Sequence, residues 1–222
     1  MHFYWQERYL QGGRIWGSEP SPTAALAAER FQRHGVKRVL VPGAGYGRNA
    51  ALLARAGFMV TGVEISEEAI RLAEQNNPGI KYLHGSFLEV PLEPGAFDAV
   101  YCFNVLHLFL KADRERFLQR CRDSLRDGGL VWAAVFSDEE PSYGRGPRVE
   151  ENTFESKPGR PVHYFSAADL EGHFRGFEIL ERGLIDDPEE HGDQGPHVHR
   201  LRYLAAARHL LVDHGRAYKE KI

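Results

Sequence analysis

The chain has 222 residues, 42% hydrophobic and 27% charged, with a formal net charge of −3 and two cysteines. This is a soluble globular balance long enough to bury a full core without disulfide or metal staples, and the near-neutral charge disfavours a dedicated nucleic-acid binder, which needs a basic surface. Cys102 and Cys121 alone exclude a disulfide framework and point to a reducing, cytoplasmic setting; no run reaches the roughly eighteen apolar residues of a membrane span, and MHFYWQERY lacks a signal-peptide core.

In chain order, residues 3–22 come first, with Tyr4, Trp5, Tyr9 and Trp16 around Arg8 and Arg14, too many large aromatics for an idle tail. Residues 21–35 read as a helix capped by Ser21, with Pro22 at its first position and Gly35 as its stop. A strand follows at 36–42, a helix at 48–56 and a strand at 58–64. Ser66 caps the next helix, with Glu67 and Glu68 favouring its N-terminal dipole, and Asn77–Pro78–Gly79 ends it. Strands are expected at 80–85 and 97–103, then an amphipathic helix at 112–126, a break at Asp127–Gly128–Gly129 and a strand at 130–136. Near-continuous apolar strands alternating with helices mean a parallel sheet covered on both faces.

Residues 137–165 lose this periodicity and read as a long surface excursion or lid, with Tyr143 as a pocket wall. A short helix restarts at Ser166 with capping-box-like spacing to Asp169. Strands at 177–185 and 197–208 are joined by a loop too short for a crossover helix, so they pair antiparallel. Residues 209–222 read as a terminal tail with helical character. The expected organisation is one domain over 1–222: cap and first helix at 1–35, core at 36–208, tail beyond.

The most informative segment is 39–66, VLVPGAGYGRNAALLARAGFMVTGVEIS. A strand runs into Gly43–Ala44–Gly45–Tyr46–Gly47 and straight into a helix, so the backbone can approach a ligand at the helix N-terminus. Glu64, nineteen residues after Gly45, ends the next strand, where an acid accepts hydrogen bonds from ribose hydroxyls. Together these form a nucleoside-binding half-fold. The spacing is G-x-G-x-G, not the dinucleotide G-x-G-x-x-G, and the phosphate-loop pattern is absent.

VLVPGAGYGRNA, GVEIS, HGSF and FDAVYCFNVLHLF, in this order, resemble the class I S-adenosylmethionine (SAM)-dependent methyltransferases over about 36–137. The resemblance implies a Rossmann-like three-layer αβα sandwich with a seven-stranded, mostly parallel sheet of order 3-2-1-4-5-7-6, strand 7 antiparallel. It implies SAM as cofactor, with Gly43, Ala44, Gly45 and Gly47 against its methionine part, Glu64 on the ribose and Ile65 on the adenine. Ser86 and Phe87 stand where the family often has an adenine-binding Asp, and Asn104 and Val105 would lie beneath the sulfonium. Val41 replaces an acid common two residues before the first glycine. Asp98 matches a position read as structural.

W-x-x-R-Y, then W and P-S-P, in 3–22 resembles the thiopurine- and tellurite-resistance-type branch of small-molecule methyltransferases. That implies a cap over SAM, with Trp5, Tyr9 and Trp16 facing the sulfonium cation and Arg8 pairing with the methionine carboxylate. The competing reading is that these aromatics only staple the first helix to the sheet. His107, just after the fourth strand, is the candidate general base, against a packing role.

Seven of the eleven histidines follow residue 160. His191, His197 and His199 are candidate metal ligands, against ordinary hydrogen bonding in a hairpin. N-P-P-[YFW] and Pro–Cys, signatures of nucleic-acid methylation, are absent. The expectation is methyl transfer by in-line displacement to a small-molecule acceptor, with no nucleic-acid or membrane partner. The rivals are a nucleotide-linked oxidoreductase and a non-catalytic SAM- or metal-binding module.

Overall fold

The computed structural model describes residues 2–190 and 195–209. The chain opens with α1 (His2–Gly12), a helix not expected from the sequence, whose one buried residue is Tyr9. α2 (Pro22–Arg33) starts where expected: the Ser21 hydroxyl accepts from the Thr23 amide, and Pro22 occupies the first turn. β1 (Arg38–Pro42), α3 (Arg48–Arg55), β2 (Met59–Glu64), α4 (Glu67–Asn76) and β3 (Lys81–His84) follow. The Ser66 side chain caps α4 by accepting from the Ala69 amide.

β4 (Phe97–Phe103) leads through a 3-10 turn (Leu106–Leu108) into α5 (Lys111–Ser124) and β5 (Leu125–Phe136). The expected break at Asp127–Gly128–Gly129 is a bulge inside β5: Leu125 already pairs with Phe97, and the register shifts before Leu130 pairs with Ala99. Gly128 supplies the positive φ of 70°. Asp98 holds this corner, accepting from the Lys37 and Arg38 amides at 2.9 and 2.8 Å and from Arg126 Nε at 2.7 Å. Although burial opposes it, those donors keep its carboxyl below the ordinary range.

The irregular excursion folds into a second sheet. β6 (Arg148–Glu150), β7 (Thr153–Lys157) and β8 (Arg160–His163) form an antiparallel ladder of order 6-7-8. Ser137 and Phe165 form a bridge, so this unit leaves and rejoins beside the end of β5. α6 (Ala167–His173), capped by Ser166, leads to β9 (Phe177–Glu190) and β10 (Pro196–Arg208). β9 runs five residues past its expected end.

The main sheet has order β3-β2-β1-β4-β5-β10-β9. Counting only its own seven strands, this is the expected 3-2-1-4-5-7-6. β10 is antiparallel to both β5 and β9, and the β1–β2, β1–β4, β2–β3 and β4–β5 pairs are parallel. Alternate side chains enter two cores. Val39, Val41, Tyr101 and Trp132 face α2 and α3, while Leu40, Val100, Cys102 and Val131 pack with Phe117 and Cys121 of α5 and Leu170 of α6. Both faces being covered is why these strands are nearly continuous in apolar residues. β1 pairs with both β2 and β4, so chain order reverses there, and the crevice at the carboxyl ends of these strands is the natural ligand site.

Candidate active site

The loop after β1 owes its shape to glycine. Gly43, Gly45 and Gly47 have φ of 62°, 55° and 84°. A Cβ on Gly43 would stand 2.3 Å from Val105 Cγ2, so no larger residue fits between the β1 and β4 loops. Gly47 has a different reason: its Cβ would stand 2.5 Å from Tyr82 Oη and 3.2 Å from Ala73 Cβ. Gly47 starts α3 and packs on β3 and α4 but does not line the cavity, which corrects the expectation that it approaches a ligand.

Glu64 is buried at the tip of β2. Oε2 accepts from the Gly45 amide at 2.8 Å, and Oε1 accepts from the Ile65 and Ser66 amides at 2.8 and 3.0 Å. An ionised carboxylate offers about four acceptor sites, so three amides leave about one for a ligand hydroxyl. Burial raises its pKa above the ordinary carboxylate value, against those three amides. Glu64 therefore closes the glycine loop as well as facing the crevice.

The crevice is a cavity of about 1110 Å³, above the roughly 300–1,000 Å³ of typical ligand pockets. Its wall includes Trp5, Arg8, Tyr9, Trp16, Gly43, Ala44, Gly45, Glu64, Ile65, Ser86, Phe87, Asn104 and Val105, all of them expected from the sequence. Trp5 and Trp16 lie 5.9 Å apart between ring centroids, Tyr9 is edge-on to Tyr46, and Trp16 stacks on Tyr46. The Ser86 hydroxyl accepts from the Leu88 amide and starts the turn that carries Phe87. Arg14 lies off this wall and donates to Asn76 of α4.

Asn104 is left-handed, with φ 52°. Its amide donates to Ala134 O at 2.9 Å, while its side-chain oxygen is buried at the cavity wall with no hydrogen-bond partner among the described residues. A buried acceptor without a donor is costly, and a ligand ammonium would satisfy it.

His107 does not line the cavity. It is 3% exposed, and Nδ1 accepts from the Phe136 amide at 3.2 Å. Burial, followed by the Arg160, His199 and His163 charges, pushes its pKa well below the ordinary histidine value. The expected general base is a packing residue behind the wall. Tyr143 is likewise not a wall residue; it is exposed and packs edge-on against Phe154 and Tyr164.

His197 and His199 do line the cavity, sharing a face of β10. Their Nε2 atoms are 3.3 Å apart, and His199 Nδ1 lies 3.0 Å from Glu140 Oε1. Glu140 also accepts from the Arg200 amide at 2.7 Å. Burial lowers the pKa of His199, but the bond to Glu140 and the charges of Glu140, Glu189 and Asp187 outweigh it and raise the pKa. His191 lies outside the described residues, as does the tail beyond 209. Among the described residues no group of three or more His, Cys, Asp or Glu is arranged to hold a metal ion.

Sequence reasoning missed Tyr46, Arg48, Glu140, Glu189, Arg160 and Tyr164 on this wall. Arg48 had a signal, as the first residue of the helix after the glycine loop; it pairs with Glu189 and donates to Trp16 O and Glu19 O at 3.0 and 3.1 Å. Tyr46 sits inside the glycine loop itself, whereas Glu140, Arg160 and Tyr164 come from the excursion and Glu189 from the far end of β9, where no periodicity points inward.

Residues 40–133 match the family described as "Methyltransferase domain". A probable S-adenosylmethionine-dependent methyltransferase of Mycolicibacterium smegmatis is 32% identical over 185 residues, 74% of this chain and 70% of that protein. Another of that description from Mycobacterium tuberculosis is 26% identical over 184 residues, and the match spans 77% of this chain but only 61% of that relative. Among solved structures, a Burkholderia thailandensis 1,6-didemethyltoxoflavin-N1-methyltransferase, with that compound and S-adenosylhomocysteine bound, superposes with a TM-score of 0.71 at 20% identity, over 94% of this chain and 87% of its own. TehB from Haemophilus influenzae superposes with a TM-score of 0.65 at 14% identity, over 92% of this chain and 67% of its own.

Proposed function

This chain belongs to the class I S-adenosylmethionine-dependent methyltransferases, and we propose that it transfers a methyl group from SAM to a small-molecule acceptor. The observation that carries the reading is the pairing of a glycine cradle with Glu64 on the cavity wall: a Cβ on Gly43 would drive into Val105, and Glu64 accepts from the Gly45 amide. The residues fit the cofactor. Gly43 to Gly45 would take its methionine part, Asn104 Oδ1 offers the unpaired acceptor an α-ammonium needs, and Glu64 keeps about one acceptor site for a ribose hydroxyl. Ile65 and Phe87 would flank the adenine, with Ser86 beside it. Trp5, Tyr9 and Trp16 would cap the sulfonium, and Arg8 would pair with the carboxylate.

SAM supplies an activated methyl group on a sulfonium cation. The chain's own work is positioning and water exclusion. The β4 exit and the glycine loop fix one end of the reaction axis. Leu108, Phe109, Phe136 and Tyr164 add apolar lining to the same cavity. Holding two reactants in line is worth several kcal/mol of barrier without any proton transfer, consistent with His107 being unavailable. Among the described residues no helix is long and apolar enough to cross a membrane, and the free, buried Cys102 and Cys121 support a reducing, cytoplasmic setting. An acceptor screen that follows S-adenosylhomocysteine release tests the proposal: it expects turnover with a small molecule, and SAM binding without turnover across a broad panel would leave only a binding module.

A further inference from the structure

The carboxylates on the cavity wall are already committed. Glu64 takes three amides, Glu140 takes His199 and the Arg200 amide, Glu189 takes Arg48, and Asp113 takes Arg116. Among the described residues, four cations on the same wall are not. Arg8 of α1, Arg145, Lys157 at the end of β7 and Arg160 at the start of β8 all line the cavity. Among the described residues none of their side chains has an ion pair or a hydrogen bond.

The four differ in exposure. Arg8 and Arg160 are half-buried, and Lys157 and Arg145 stand at the rim. Arg160 lies over the Tyr4 ring at 5.9 Å, and its Nε is buried with no hydrogen-bond partner among the described residues. Burial, then the charges of Arg160 and Arg8, lowers the pKa of Lys157 below the ordinary lysine value. The chain as a whole carries net charge −3, so a basic composition does not explain the cluster. Clustered like charges repel, and a half-buried guanidinium is costly without a counter-charge. A guanidinium fork also matches carboxylate and phosphate oxygens in pairs.

We propose that Lys157 and Arg160, with Arg145 at the rim, bind an anionic group, carboxylate or phosphate, on the methyl acceptor. This rests on the reading that the glycine-loop end holds SAM, which leaves Arg8 for the cofactor carboxylate. The acceptor is then an anion joined to an apolar body, the anion against the β7–β8 turn and the body against Phe136 and Tyr164.

The test is calorimetric titration of the full chain with benzoate, phenyl phosphate, benzamide and benzylamine, with and without saturating S-adenosylhomocysteine. At least one anion should bind tenfold or more tighter than benzamide, and benzylamine weakest; which anion prevails separates the carboxylate and phosphate forms. R160Q, and separately the rim variant K157Q, should each lower the anion's affinity at least threefold, with S-adenosylhomocysteine affinity changed less than twofold. Equal binding of benzoate, phenyl phosphate and benzamide would overturn the proposal. So would loss of S-adenosylhomocysteine affinity in R160Q with anion preference intact, which would return these cations to the cofactor. Absence of S-adenosylhomocysteine binding to the unmodified chain would instead sink the cofactor reading, and the anion series without it still decides the anion site.

Discussion

Glu64 joins two tasks in one carboxylate. It ties the glycine loop to β2 through the Gly45 amide and keeps about one acceptor site for a ligand. Glu64→Ala should weaken SAM binding by about 1–3 kcal/mol, the cost of losing a charged hydrogen bond and leaving amides unpaired. Equilibrium titration checks it; unchanged affinity would remove the ribose assignment. A second acid makes a pH prediction. Asp187 is buried, with Oδ1 on the Ser21 hydroxyl and Oδ2 without a partner among the described residues. Burial, then the Glu189 charge, raises its pKa from 3.8 to about 6. A raised acid binds more protons folded than unfolded between these values, so its contribution to stability falls as pH rises from 3.8 to about 6. At about 1.4 kcal/mol per pH unit, the ionised form costs up to roughly 3 kcal/mol above that window. Asp187→Asn should therefore stabilise the protein by about 1–3 kcal/mol at pH 8 and by little near pH 4. Urea unfolding at both pH values decides it: an equal effect at both would show that burial of charge is not the cause. Both acids are visible in the sequence, but only Glu64 has a legible role, because its spacing from the glycine loop is fixed by a βαβ unit. Asp187 gets its environment from Ser21, 166 positions away, and no local pattern records that.

At the scale of elements, legibility followed periodicity. β1 to β5 and α2 to α5 were readable because strands buried on both faces are continuous in apolar residues and Ser21 and Ser66 cap their helices. β6, β7 and β8 were not, since RVE, TFESK and RPVH are too short and too charged to alternate. Asp127–Gly128–Gly129 suits a break and a bulge equally, so the bulge inside β5 is not legible from the sequence. α1 was hidden by its aromatics, spread over the helix and the loop after it. Trp5 and Trp16 line the cavity, whereas Trp132 is fully buried in the core. An indole face attracts a sulfonium but not the neutral thioether left after transfer, a difference of about 0.5–2 kcal/mol. Replacing both Trp5 and Trp16 by leucine should thus weaken SAM more than S-adenosylhomocysteine by that amount, measured by parallel titrations. Equal losses would make the cap a staple rather than a cation site.

For the whole molecule, the sheet places the β1 and β4 exits at one crevice, and the excursion between β5 and α6 adds Glu140, Arg160 and Tyr164 to the wall of the same cavity. The first half follows from chain-local motifs, and the expected cofactor-binding residues, Gly47 excepted, line the cavity. The second half depends on how the excursion folds back beside the end of β5, which no local pattern records, so Glu140, Arg160 and Tyr164 are not legible as wall residues. On the proposed function, the glycine-loop half would hold the cofactor and the excursion half would meet the acceptor. The central claim is that the first half binds SAM, and calorimetric titration of the unmodified chain with SAM tests it most directly. One site per chain, competed by S-adenosylhomocysteine, is the predicted result. No saturable binding of either compound to folded protein would contradict the account.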